Sequence, residues 1–167
     1  MKIKLVITSL LVVFIALFII RGVFFSVDTV GNSGVASHQL LELQDGSIHR
    51  FLLNDQQFLF EVVNSSASKI QGLSGRTEIG SDGTLFAFEQ IAIHSIWMKE
   101  MKFDIDLIWL LDGEVVDVTL GAKKPDQETQ LQELKIYQPK TGVNQVLEVE
   151  RGFVEKWNVK EGGLLIK

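Results

Sequence analysis

The sequence predicts a mainly β protein, a compact barrel or sandwich with one or two short helices, preceded by an N-terminal transmembrane helix. Over residues 58–150, short apolar runs alternate with Gly, Asp and Asn turn signals, a spacing typical of antiparallel β domains. Residues 1–25, in contrast, contain no acidic residue and have an uncharged run from Leu5 to Ile20. We therefore predict a signal anchor at 1–25, a flexible tether at 26–37 and a β-rich domain at 38–167.

The N-terminal segment has a second interpretation, because a charged start before an apolar run is also typical of a cleaved signal peptide. The nearest small-x-small cleavage pattern, Gly34-Val35-Ala36, lies well beyond the apolar run, and this spacing favours a retained anchor. Lys2 and Lys4 then predict a cytoplasmic N-terminus. The chain is expected to cross the cell membrane once and to hold its C-terminal domain outside the cytoplasm.

Composition excludes several classes of site. The 167-residue chain has no cysteine, so disulfides, cysteine-ligated zinc and a thiol nucleophile are excluded. Residues 26–167 contain 13 Lys and Arg against 21 Asp and Glu, a net charge of -8 that is expected to repel nucleic acid. The sequence also lacks H-E-x-x-H, G-x-S-x-G and phosphate-loop motifs. No metal and no other cofactor is predicted.

Turn and capping residues mark the individual elements in order. Asp45-Gly46 separates two apolar runs and predicts a hairpin, and Asp112-Gly113 predicts a second, longer one. Within residues 64–76, Ser65 or Ser66 can cap a short helix, and Gly72 or Gly75 can end it. Residues 123–141, which include both prolines, predict a polar loop. Further strands are predicted at Phe58–Val63, Thr84–Glu89, His94–Lys99 and Gln145–Glu150, with one or two helical turns at Gly152–Asn158.

Pairing outward from a two-residue turn at Asp112-Gly113 sorts the side chains of the longer hairpin onto two faces. One face is apolar and is expected to join the core. The other face becomes acidic away from the turn. The apolar pairs are Trp109–Val116, Leu107–Val118 and Ile105–Leu120, and the other face carries Leu110–Val115, Ile108–Asp117 and Asp106–Thr119, with Asp104 extending the row.

The acidic row has three possible explanations. It can be the solvated face of a half-buried sheet. Asp104, Asp106 and Asp117 can also form an oxygen-ligand site for Mg²⁺ or Ca²⁺, although no EF-hand spacing is present. Finally, Asp106 lies between apolar residues, so if it is buried it needs a partner, and Lys99 or Arg76 could form the ion pair.

The sequence resembles the family known as domain of unknown function 192 over roughly residues 58–163. Four segments carry the resemblance, of which the third is the most specific because Trp, Met, Lys and a carboxylate recur in that order. They are QGLSGR (71–76), GTLFAF (83–88), IWMKEMKFDIDLIWL (96–110) and VLEVERGF (146–153).

The resemblance implies a small β-rich domain, often behind a signal or anchor, and no established reaction. The matching positions are Gly72, Gly75, Arg76, Trp97, Met98, Lys99, Asp106 and Glu148. Two positions differ from the family pattern: Asp104 stands where proline is usual, and Gly163 where an acid often closes the domain. The first difference weakens a metal role for Asp104.

Two function classes remain open. The first is a membrane-tethered binding or accessory module at the cell envelope, with an unknown small-molecule or protein ligand. The alternative is a small hydrolase or lyase that uses a polar cleft of charged residues as acid and base. No catalytic residue is assigned. The candidate ligand-binding pocket comprises Arg76, Trp97, Lys99, Asp106 and Glu148, and the cleft of the alternative comprises the same set without Trp97.

Overall fold

The computed structural model describes residues 34–126 and 128–167, which form nine strands and four short helices. None of the helices in this part of the chain has the length and apolar character needed to cross a membrane. The predicted anchor at 1–25 lies outside the described residues. The elements are α1 (Ser37–Leu41), β1 (Ile48–Leu53), β2 (Gln56–Val63), α2 (Ser66–Gln71), β3 (Gly83–Ala92), β4 (Ile96–Trp97), β5 (Ile105–Leu111), β6 (Glu114–Ala122), a 3-10 helix (Leu131–Glu133), β7 (Ile136–Tyr137), β8 (Val143–Glu150), α3 (Phe153–Lys156) and β9 (Leu165–Ile166).

Seven strands form one sheet in the order β6–β5–β8–β3–β2–β1–β9, and β4 pairs with β7 in a separate two-stranded ladder. Strands β2 and β3 run parallel, and the segment between them contains α2. The other neighbours in both sheets are antiparallel. The prediction of a mainly β protein with a few short helices is confirmed.

The sheet curls into a half-barrel, and the C-terminal segment bridges its two edge regions at one end. β9 pairs with β1 through Leu165 and Leu53. In the same segment, Leu165 N donates to Gly113 O and Val115 N donates to Gly163 O, both at 2.8 Å, which joins the segment to the start of β6. Because β1 and β6 lie far apart in the strand order, these bonds require strong curvature. The structure thus shows a half-barrel in place of a two-sheet sandwich.

The central strands are buried on both faces. Six of the seven residues of β5 and seven of the eight residues of β8 are buried. Alternate side chains enter two separate apolar clusters, so that Ile108 and Leu147 join one and Leu107 and Val146 join the other. The first cluster is completed by Leu40 of α1 and by Phe153 and Val154 of α3, and the second by Leu73, Ile79, Met98, Met101 and Tyr137 from connecting segments.

The hairpin about Asp112-Gly113 is confirmed, but its predicted register is wrong beyond Leu110. Leu111 pairs with Glu114 and Leu110 with Val115, as expected, and a β-bulge then pairs Trp109 with Asp117. Because each bulge adds one unpaired residue, every later pair shifts. The prediction that Leu120 points inward is also wrong, since 53% of its surface is exposed.

Other local predictions meet mixed outcomes. The expected hairpin at Asp45-Gly46 is wrong: α1 occupies the first arm, and β1 instead turns into β2 at Asn54 and Asp55, which both adopt positive φ. The strand expected over residues 94–99 is limited to β4. The last four residues of the predicted tether, 34–37, belong to the folded domain, where Val35 N donates to Leu165 O at 2.7 Å.

Candidate functional site

Glu148 lies in the middle of the sheet with its side chain in the second apolar cluster. It stands on β8 between Thr84 of β3 and Leu107 of β5, in register with both. Only 5% of Glu148 is exposed. Within residues 34–126 and 128–167 its carboxyl group has no hydrogen-bond donor, and the Thr84 hydroxyl beside it has no partner either. Buried polar groups are nearly always paired, so both groups call for an explanation.

A cavity of about 60 Å³, here called the Glu148 cavity, opens above this carboxyl group. Its sheet side is formed by Glu148, Phe86 and Ile105. Its other walls come from two connecting segments, one that follows β2 and one that precedes β5. These segments contribute Lys69, Ile70, Gln71, Gly72, Leu73 and Ser74, and Ser95, Ile96, Trp97, Met98 and Met101.

Helix capping places the first of these segments. Ser65 caps α2, as predicted, by accepting a hydrogen bond from Ser68 N at 3.1 Å. Asp45 accepts further bonds at the same end, from Asn64 N at 2.9 Å and from the Ser68 hydroxyl at 2.7 Å. Burial acts to raise the pKa of Asp45, but these hydrogen bonds lower it to about 2. The anchored helix carries residues 69–74 to the cavity.

A glycine ends the helix and turns the chain over the sheet. Gly72 has φ of 49°, and a Cβ there would lie 3.3 Å from the Phe86 ring. Only glycine combines this backbone conformation with such a close approach. Beyond it, the Ser74 hydroxyl donates to Lys99 O at 2.7 Å, and Gly75 N donates to Glu100 O at 3.1 Å. These bonds join the two connecting segments into one roof.

The Arg76 guanidinium near Glu148 is already paired with another acid. Arg76 binds Glu61 through two parallel hydrogen bonds of 2.6 and 2.9 Å. Burial raises the pKa of Glu148 to about 8, and attraction by the nearby Arg76 opposes this increase without cancelling it. At neutral pH the Glu148 carboxyl group is therefore mainly protonated and uncharged.

Trp97 lies at the edge of the Glu148 cavity, and Lys99 lies outside it beside Trp97. Trp97 lines the cavity but leaves 45% of its surface exposed. The Lys99 ammonium lies 5.9 Å from the centre of the Trp97 ring and 3.5 Å from the Glu100 carboxylate. Ile136, which pairs with Trp97 across the β4–β7 ladder, is also exposed. The cavity thus opens beside an apolar surface.

The comparison with protein families agrees with the motifs that build this cavity. A family model for DUF192, described as uncharacterized ACR, matches residues 49–166. The chain belongs to the DUF192 family. The resemblance drawn from the sequence is thereby confirmed, and residues from all four of its segments line the Glu148 cavity. No curated protein matches the chain.

Two solved structures are similar to this DUF192 protein in fold. A candidate transcription regulator from Sinorhizobium meliloti 1021 has a TM-score of 0.63 and 22% identity, and the match covers 74% of this chain and 95% of the other. A protein of unknown function from Novosphingobium aromaticivorans has a TM-score of 0.61 and 21% identity, with 72% and 85% covered. At these identities the likeness shows the fold alone.

Asp106 is buried, but the ion pair with Lys99 or Arg76, one of the three explanations of the acidic row, is not formed. It is 1% exposed and lies in register with Val149, so its side chain is on the sheet face opposite Glu148. Its carboxylate accepts backbone hydrogen bonds from Gly121 (2.8 Å), Gly152 (2.9 Å) and Val154 (3.2 Å). Asp106 therefore ties β6 and α3 to β5 in this DUF192 domain. Of the five predicted pocket residues, Trp97 and Glu148 line the Glu148 cavity, and Arg76, Lys99 and Asp106 do not.

The other two acids of the predicted row have separate partners. Asp104 contacts Lys123 at 2.7 Å and Arg151 at 3.2 Å. Asp117 contacts Lys140 at 2.8 Å. Among the described residues no group of three or more His, Asp or Glu side chains is placed to hold a metal ion. The acidic row is thus explained by ion pairs and backbone bonds.

Sequence reasoning missed Glu61, Thr84 and Met101. Glu61 is the partner of Arg76, and its position between Phe60 and Val62 on an apolar strand was a signal for a paired acid. Met101 lies in a segment that has no regular secondary structure, so periodicity could not assign it to a wall. Thr84 resembled an ordinary strand residue.

We predict that Glu148→Gln changes the pH dependence of stability. The pKa of Glu148 rises from its ordinary value of 4.5 to about 8 on folding, so between these values the folded state holds a proton that the unfolded state releases. The contribution of Glu148 to the free energy of unfolding therefore falls with rising pH by about 1.4 kcal/mol per unit in this interval, and the loss ends above it. The Glu148→Gln variant lacks this component.

Denaturant melts at several pH values between 5 and 8 measure the difference in slope. Glu150→Gln is the matched control, since Glu150 is the exposed acid on the same strand and its removal should leave the slope unchanged. Parallel slopes for the wild type and Glu148→Gln would show that Glu148 ionises normally in the folded protein.

We also predict that Asp106→Asn lowers the free energy of unfolding by about 2–3 kcal/mol, because an amide cannot accept all three buried backbone bonds. Asp104→Asn removes only partly exposed ion pairs and should cost about 0–1 kcal/mol. Chemical denaturation at neutral pH compares the two variants. Equal, small losses would mean that the backbone bonds to Asp106 contribute little to stability.

Proposed function

We propose that this DUF192 protein is a binding module that residues 1–25 tether to the cell membrane, with its β domain outside the cytoplasm and the Glu148 cavity as its ligand site. One observation carries the assignment of the site: a buried carboxyl group without a hydrogen-bond partner in the described residues faces a cavity. Leaving such a group unpaired costs stability, and a ligand that pairs with it recovers that cost.

The shape of the site supports binding of one end of a larger ligand. An apolar cavity of about 150 Å³ accepts a benzene molecule, and the Glu148 cavity has about 60 Å³. It therefore suits a small end group. The exposed Trp97 and Ile136 beside the opening offer an apolar surface for the rest of a small molecule or for a protein segment.

The charge of the domain limits the ligands that this proposal includes. Residues 26–167 carry a net charge of -8, which opposes binding to nucleic acid. The role of transcription regulator, which is named for the Sinorhizobium meliloti protein, is therefore not part of the proposal for this chain.

The alternative function, a small hydrolase or lyase, has one supporting observation. A carboxyl group with a pKa of about 8 can exchange a proton near neutral pH, as a general acid or base must. Two observations weigh against this alternative. Asp106 lies on the opposite sheet face, and the Ser74 hydroxyl in the cavity wall donates to a backbone carbonyl rather than facing a base.

The membrane tether predicts that the full-length protein remains in the membrane fraction after alkaline carbonate extraction and begins at Met1. The uncharged run from Leu5 to Ile20 and the basic residues before it support this expectation. Protease added outside the cytoplasmic membrane should digest the domain. A soluble product that starts near Ser37 would show cleavage and remove the tether from the proposal.

The ligand site predicts that a compound found in a thermal-shift screen of the full-length protein depends on Glu148. At a hundredfold excess over its Kd, a ligand of the folded state adds about 2.7 kcal/mol, which raises Tm by roughly 5–10 °C for a chain of this size. The screen should include amides, sugars, cell-wall fragments, nucleotides and metals. Glu148→Leu should abolish the increase, and Glu150→Leu should not. Hits that stabilise both variants equally would place the ligand elsewhere.

A further inference from the structure

We infer that the Glu148 cavity selects an uncharged group with a carbonyl oxygen, such as a ketone or an amide, which accepts a hydrogen bond from the Glu148 carboxyl group. The inference rests on the proposed ligand site and names the chemistry that the site recognises. Its basis is the juxtaposition of an unpartnered, 95% buried carboxyl group with the apolar walls formed by Phe86, Ile105, Met98 and Met101.

A cationic ligand group finds no compensating charge in the walls of this cavity, and an anionic group finds only that of Lys69. Arg76, which follows α2, is held by Glu61 of β2 through two hydrogen bonds. Lys69 of α2 donates to Ala87 O at 3.1 Å and lies over the Phe88 ring. Lys99 of the roof lies outside, between Trp97 and Glu100. An ion that left water for this site would lose its hydration, and only an anion beside Lys69 would gain a counter-charge, so a neutral group is favoured.

The protonation state of Glu148 determines whether the ligand must donate or accept the hydrogen bond. From β3, the neighbour of Glu148 is the uncharged Thr84, and from β5 it is the apolar Leu107, so neither strand supplies a cation. Burial keeps the pKa of Glu148 at about 8, and the protonated group then donates its O–H. A carbonyl oxygen accepts this proton and brings no charge into the cavity. Recognition should therefore fail once Glu148 ionises.

The methionine residues give this inference a direct readout. The chain has three methionines, and two of them, Met98 and Met101, line the cavity while Met1 begins the chain. Full-length protein in detergent micelles, labelled with ¹³C at the methionine methyl groups, should show three signals. Single Met→Leu variants assign the signals. The probes are acetone, acetate and isopropylammonium, which have the same number of non-hydrogen atoms and differ in charge.

We expect acetone to shift the Met98 and Met101 signals saturably at pH 6.5 and to leave the Met1 signal in place. Its affinity should fall about tenfold or more at pH 9.5, where Glu148 is ionised. Glu148→Gln keeps an N–H donor in the same place, so this variant should bind acetone equally at both pH values. Glu148→Leu should lose acetone binding.

The other outcomes separate this inference from the proposed function. Tighter binding of acetate or isopropylammonium than of acetone, with shifts at Met98 and Met101, would overturn the inference and leave the ligand site in place. Acetone binding that is unchanged by pH and by Glu148→Leu would show an apolar cavity without a role for the carboxyl group, and would likewise overturn the inference. If no probe shifts the Met98 or Met101 signal at a concentration that leaves the Met1 signal in place, both the inference and the ligand site fail.

Discussion

Burial of the central strands on both faces is the constraint on which this domain depends. β5 and β8 are neighbouring interior strands of the curled sheet, and the alternate side chains of each strand enter two apolar clusters, one on each face. An acid on such a strand cannot reach water on either side, so it must be paired, protonated or supplied with a ligand. Asp106 and Glu148 are both in this situation, one on each face.

The two acids meet the constraint in different ways. Asp106 has a structural role, and Glu148 belongs to the proposed ligand site. Asp106 accepts three backbone hydrogen bonds and holds β6 and α3 against β5, which is a complete structural role. Glu148 has no such donors in the described part of the chain, and its pKa rises to about 8. The same burial that stabilises the fold thus leaves the Glu148 carboxyl group unpaired, and our proposal places the ligand there. Arg76 forms its ion pair with Glu61 and not with Glu148.

Local signals in the sequence predicted local structure well, because they act over a few residues. The Ser65 cap, the helix end at Gly72 and the turn at Asp112-Gly113 all depend on short-range geometry. The register beyond Leu110 could not be predicted, because the turn fixes only the first pairs and a bulge later shifts the rest. The parallel pairing of β2 with β3 also had no local signal.

The sequence identified residues of the candidate site, but it could not show which of them lie together in one cavity. The family segments identified Arg76, Trp97, Lys99, Asp106 and Glu148 as positions of interest. Which of them share a cavity depends on which sheet face each occupies, and that depends on the residues covering each face. Leu40 of α1 and Phe153 and Val154 of α3 cover the Asp106 face from segments distant in sequence, so alternation along the hairpin could not show that the acidic face is also buried.

A ¹³C NMR titration of the glutamate carboxyl groups tests the central claim most directly. The full-length protein, labelled at glutamate Cδ, is followed from pH 4 to pH 10, and the Glu148 signal is assigned by its absence in Glu148→Gln. A titration midpoint near 8 for Glu148 is the predicted result, because burial without a partner favours the protonated form. A midpoint near the ordinary value of 4.5 would contradict it and would show that Glu148 is charged at neutral pH.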